Sequence, residues 1–170
     1  GDIMATIKLE TSSLHNATAI SSSYTYGDTV TITVTADPGY KFTTSKPPKI
    51  GFVNRNYEYK ERTFTLSDDR KTGTVSVGTQ IMFLNGSGDD KYCSIDVVGN
   101  PEQSTATVYT VTKNFTHCSS SVIPNSIEEN TQFNWSIWAD DGYEFKEGSV
   151  TSNVGKVNFN PQYPNSINVV

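Results

Sequence analysis

The sequence predicts an all-β chain built from two tandem antiparallel β-sandwich modules, the second shorter than the first. Three observations carry this. Thr, Ser and Asn make up about a third of the 170 residues while Leu, Ala and Glu are scarce, a balance that favours strands and turns over helices. No window of ten or more residues repeats its apolar side chains with a helical period. One stretch also occurs twice. Residues 27–42, G-D-T-V-T-I-T-V-T-A-D-P-G-Y-K-F, lie over residues 130–145, N-T-Q-F-N-W-S-I-W-A-D-D-G-Y-E-F, at an offset of 103 with no gap. The pairs Ala36/Ala139, Asp37/Asp140, Gly39/Gly142, Tyr40/Tyr143 and Phe42/Phe145 are identical, and an apolar residue faces an apolar residue at 30/133, 32/135 and 34/137. Such self-similarity marks a duplicated structural unit.

In chain order, the alternation of Thr6–Glu10 predicts a first strand, and residues 14–23 a short strand with a loop. Gly27-Asp28 turns the chain into Thr29–Ala36, whose even positions are apolar and whose odd positions are all Thr. That is a half-buried strand with Val30, Ile32, Val34 and Ala36 inward. Asp37-Pro38-Gly39 is a turn, because Pro presets φ and Gly accepts a positive one. Two prolines in residues 43–49 exclude a central strand there. Residues 50–53 and 57–66 follow as strands, the second a charged edge, and a polar turn over 67–73 leads into a strand at 74–77. Residues 80–84 and Tyr92–Val98 are expected to pair around Asn85-Gly86-Ser87-Gly88-Asp89-Asp90.

Gly99-Asn100-Pro101-Glu102-Gln103 reads as the linker, giving a first module at 4–100, a linker at 101–103 and a second module at 104–170. The second module follows the same order, with strands at 105–112, 132–139, 149–151, 156–159 and 166–170. It is short for a seven-strand sandwich, so either it uses fewer strands or its last strand comes from the first unit or a partner. Strands spaced about 8–12 residues apart with Gly, Pro and Asn turns indicate Ig-like architecture. The Cys…Trp…Cys framework of an antibody domain is absent.

Composition excludes several classes of function. Thirteen basic against eighteen acidic residues, with no basic cluster, argue against a nucleic-acid or anionic-membrane partner. No apolar run approaches the length of a membrane span. Gly1-Asp2-Ile3 reads as an expression remnant with Met4 as the native start, so no signal peptide is expected. Cys93 and Cys118 lack a C-x-x-C spacing or a histidine at ligand spacing, which favours two free thiols over one disulfide.

The repeated stretch resembles the G-x-x-[VY]-x-x-x-[LV]-x-A-x-x-G-Y-x-[FL] core of small repeated Ig-like β-domains. These occur in bacteriophage virion proteins of the tail, baseplate and head fibre, and are related in pattern to divergent B-type repeats of bacterial surface proteins. Y-T-V-T-K-N-F-T-H-C-S-S-S, beginning at Tyr109, is similar to the Y-x-V-T-x-N-L-T opening of the phage versions. The first copy departs from that opening, and neither copy keeps a G-W after the aromatic pair, which favours the phage side. The resemblance implies virion architecture or adhesion and supplies no catalytic residues.

Little in the chain reads as catalysis. His15 and His117 lie in roughly equivalent loops without a Cys or carboxylate at ligand spacing beside both, so loop residues inherited with the duplication are the expectation. Cys118 follows His117, and neighbours on a strand point to opposite faces, which disfavours an activated thiolate. The Asn85–Asp90 loop lacks the ligand spacing of a calcium loop and reads as a hairpin turn. Four N-x-[ST] triplets, at Asn16, Asn85, Asn114 and Asn134, are near what this composition gives by chance. Neither a cofactor nor a metal is expected.

The candidate contact surface is Trp138, Tyr57 and Tyr59. Trp138 stands where the first copy has Thr35, and with Phe133, Trp135 and Ile137 on the core side, strand parity points it outward. Exposed aromatics suit a sugar ring or a protein neighbour. Tyr57-Glu58-Tyr59-Lys60-Glu61-Arg62 is a charged aromatic strand that only the first copy has; charge along an edge also prevents unwanted strand pairing. The leading expectation is therefore a non-enzymatic virion component, assembled in the host cytoplasm. It would contact other virion proteins, itself as a homo-oligomer, or a host-surface glycan. The alternative is a fragment of a secreted, cell-surface adhesin or carbohydrate-binding module.

Overall fold

The computed structural model describes residues 5–170; Met4, the expected start of the first module, lies outside the described residues. The chain is all-β, and among the described residues its one helical element is a single 3-10 turn at Thr79–Ile81. It divides into two compact units, the first ending at Thr105 and the second running Ala106–Val170.

The first unit carries β1 (Thr6–Glu10), β2 (Ala17–Ser21), β3 (Thr29–Ala36), β4 (Tyr40–Lys41), β5 (Lys49–Val53), β6 (Tyr59–Thr63), β7 (Thr65–Leu66), β8 (Thr72–Gly78), β9 (Tyr92–Val98) and β10 (Glu102–Gln103). β3 is organised by its alternation: Val30, Ile32, Val34 and Ala36 are buried while the intervening threonines line the other face. The turn after it is closed by the Tyr40 N–H donating to the Asp37 C=O at 3.0 Å, with Gly39 at φ +87°. Two four-stranded sheets result, in the orders β2-β3-β8-β7 and β1-β9-β5-β6. Their inward side chains share one core, with Val30, Ile32 and Val34 from the first and Ile50, Cys93, Ile95 and Val97 from the second. Thr79, fully buried, ties the entry of β3 in place. Its hydroxyl donates to the Asp28 C=O and accepts from the Gly27 N–H, each at 2.8 Å.

Four expectations for the first unit are corrected. The pairing of β1 with β9 is parallel, so the unit is not wholly antiparallel. The strand expected over 57–66 is divided: β6 ends one sheet, the buried Phe64 turns the chain inward, and β7 joins the other sheet. Residues 80–84 form no strand; they hold the 3-10 turn and a lone bridge from Met82 to Asn54. The linker expected at 101–103 belongs to the first unit, since β10 pairs with β4 and Pro101 is buried. Pairing satisfies backbone groups that a free linker would leave to water.

The second unit carries β11 (Val108–Thr110), β12 (Cys118–Ser120), β13 (Ser126–Glu128), β14 (Trp135–Ala139), β15 (Val157–Phe159) and β16 (Ser166–Val169). They form a four-stranded sheet, β12-β14-β16-β15, and a two-stranded ribbon, β11-β13. The register shows which first-unit strands are repeated. Ala36 pairs with Ala17 and its copy Ala139 with Cys118; Thr35 faces Thr72 and its copy Trp138 faces Ser166. Thus β12, β14 and β16 stand for β2, β3 and β8, and β15 takes the place of β7 at the end of the sheet. The turn is copied too, with the Tyr143 N–H donating to the Asp140 C=O at 3.0 Å and Gly142 at φ +86°. No strand among the described residues corresponds to β5, β6 or β9, and the segment expected as a strand at 149–151 is a loop. The core is correspondingly small: Ile137, Phe145, Ile167 and Val169, with Phe133, Val157 and Phe159 partly buried against them. Large side chains at and just before the start of β14 supply bulk beside it, the rings of Phe133 and Trp135 stacking at 4.0 Å.

Candidate functional site

Trp138 projects from the face of the second unit's sheet opposite its core, 45% exposed. Strand register explains the exposure. Ser119 of β12 and Ser166 of β16 lie directly opposite it, and neither is long enough to cover an indole. Parity brings Ser136 of β14, Asn168 of β16 and Asn158 of β15 to the same face, with Asn134 just before β14; the Asn168 side-chain amide donates to the Asn134 Oδ1 at 3.1 Å. On the same face, reached through Ser166 rather than bordered by the indole itself, a shallow depression of about 580 Å³ is lined by Ser136, Lys156, Asn158, Phe159, Tyr163 and Asn168. An apolar ring beside hydroxyl and amide groups can stack on one face of a polar ring while bonding its substituents.

Tyr59 lies on the outer face of the first unit's β1-β9-β5-β6 sheet. Its ring is laid across Gly51, where any side chain would collide with it, and its hydroxyl donates to Asp96 at 3.3 Å. Burial against the sheet raises the phenol's pKa, and the Asp96 and Glu61 carboxylates raise it further. Lys49 and Glu61 on the same face stand 3.8 Å apart, and Lys8 sits over the Tyr92 ring at 3.9 Å. Tyr57 is on the turn before β6 at φ +62°, packed against Phe83 with ring centroids 5.2 Å apart and still 78% exposed. The three sequence-predicted residues therefore divide between two units: Tyr57 and Tyr59 belong to the first, Trp138 to the second. Sequence reasoning missed the Ser and Asn residues around Trp138, since only strand register makes neighbours of Ser119, Trp138 and Ser166. It also missed Asp96, the partner of Tyr59.

His15 and His117 share no site. The His15 backbone N–H donates to Asn100, while the His117 ring stacks on Tyr143 at 4.1 Å with the planes 8° apart. His117 corresponds to Asn16 rather than His15: both have φ near +60° and both offer the carbonyl that receives the N–H of the turn aspartate. Cys93 and Cys118 are free thiols, and burial pushes the Cys93 pKa up to about 11. Gly86 and Gly88, both at positive φ, bend the 85–90 loop as a turn. Among the described residues no three His, Cys, Asp or Glu side chains assemble as a metal site. No helix there is long and apolar enough to cross a membrane. Compared with known proteins, the chain matches no family model, no curated protein and no solved structure.

Proposed function

We propose that this chain is a non-enzymatic contact protein of a bacteriophage virion, made of an Ig-like sandwich followed by a reduced copy of it. The repeated core motif and its resemblance to phage β-domains support the assignment to a virion. The single observation that carries the contact role is Trp138, an indole left open between two serines on a face of hydroxyls and amides. That chemistry favours a glycan of the host surface as the ligand of this face, with neighbouring virion subunits or further copies of the chain as its structural partners. In the alternative reading the same face serves a carbohydrate-binding module of a secreted adhesin.

Mass spectrometry of purified particles encoded by the same genome tests the setting: the chain should be present among the particle proteins, and its absence overturns the virion assignment. A glycan array probed with the wild-type chain and with Trp138→Ala tests the face. Binding that falls at least about ten-fold in the variant supports it. Binding unchanged by the substitution, or no binding by the wild type, overturns it.

A further inference from the structure

In the first unit, β1 is used on both edges. Thr6 bridges Thr25 on one side, and β9 lies parallel on the other with Ile7 opposite Cys93 and Leu9 opposite Ile95. The second unit reproduces the first of these edges. The Glu129 N–H donates to the Thr107 C=O at 2.8 Å as the Tyr26 N–H does to the Ala5 C=O at 2.9 Å, which puts Tyr109 in the place of Ile7 and Val111 in that of Leu9. On the second edge nothing stands for β9: among the described residues β11 and β13 form a ribbon of two strands. Ile7 is 3% exposed and Tyr109 is 52% exposed.

The open edge has unused pairing capacity. Thr107, Tyr109 and Val111 direct their backbone groups to β13, so alternation turns those of Val108, Thr110 and Thr112 to the vacant side. Next to it runs a groove of about 270 Å³ whose apolar wall is Tyr109, Phe115, Ile123, Trp135, Ile137 and Val169, and whose rim carries Thr110, Thr112, Lys113 and residues 152–154. In the first unit the same space belongs to β9, whose Cys93, Ile95 and Val97 are fully buried. The molecule thus holds a filled and an unfilled version of one slot.

We propose that the second unit binds an extended segment of a partner polypeptide. The segment adds to β11 as a parallel strand and places branched apolar side chains, at alternate positions, into the groove as β9 does in the first unit. Backbone bonds to the open edge supply affinity, and the alternating pockets supply register.

The probe is a labelled peptide with the sequence of residues 90–99 of this chain, carrying Cys93→Val so that it cannot form disulfides, titrated into the intact protein by fluorescence anisotropy. Saturable binding is expected. Thr110→Pro, which removes an N–H from the open edge and none from the bonds to β13, should weaken it at least about ten-fold while leaving the circular dichroism spectrum unchanged. Should that variant fold poorly, the same peptide with Ile95→Asp, tested on the wild-type protein, is expected to lose binding to the same extent. No saturable binding, or binding indifferent to both substitutions, overturns the proposal. So does sedimentation as a dimer that excludes the peptide, since a second copy would then be the occupant.

Discussion

The two units differ most at residues that the duplication places in equivalent positions. Thr35 stands between Thr18 and Thr72 in a face of threonines; Trp138 stands between Ser119 and Ser166 in a face of serines and asparagines. One face carries β-branched side chains suited to a pleated surface, while the other exposes a large ring from the strand itself among small groups. Inside, the contrast runs the other way. The first unit fills its core from two sheets; the second keeps one sheet, enlarges Val30 and Ile32 to Phe133 and Trp135, and still leaves a groove. The same strand and turn can close a core completely or leave an edge free, depending on the strands that follow it.

The largest effect expected from breaking this comparison is in the cores. Ile32→Ala opens a sealed cavity and should cost about 2–5 kcal/mol. Trp135→Ala deletes more atoms yet should cost no more, because the space it vacates merges with the groove rather than becoming a closed void. Denaturant titration of the two variants measures both; a clearly larger loss for Trp135→Ala would mean the groove is filled.

A second contrast is between the thiols. Cys93 is held neutral by burial in the filled slot, whereas Cys118 is half-buried. Native protein should therefore present one thiol that reacts readily with iodoacetamide and one that reacts only on unfolding. The sign of the pH dependence follows from the raised pKa. The thiol is neutral in both states below its ordinary value of 9.0, and between there and about 11 the unfolded chain ionises first, so stability falls with rising pH in that window. Cys93→Val should flatten this part of a pH–stability curve.

The smallest effect belongs to the exposed pair. Trp138→Thr, which restores the first unit's residue, should alter stability by less than about 0.5 kcal/mol, as surface substitutions generally do. A melting temperature lowered by several degrees would show that the indole is packed as part of the fold instead of presented for contact.

Alternation made β3 legible, since period two in a half-buried strand assigns every side chain to a face; its four inward residues and the outward Trp138 follow from it, and the turn follows from Pro38 and Gly39. The duplication made the second unit legible for the same reason. Segments without a period failed: 80–84 has a strand-like composition, but its backbone is committed to the turn around Thr79. Residues 57–66 read as one strand because nothing local marks Phe64 as the place where the chain changes sheets.

By itself, then, the sequence determined the all-β class, the two copies, the core strand with its turn and the outward direction of Trp138, because these depend on residue type and near-neighbour spacing. Tertiary structure decided what depends on partners distant in the chain. It made β1 run parallel to β9, drew 102–103 into the first unit, set two serines beside the indole and, among the described residues, gave β11 no second strand partner. Strand pairing is a non-local choice, made by whichever segment best satisfies a free edge and fills the apolar space beneath it, and no local pattern encodes that competition.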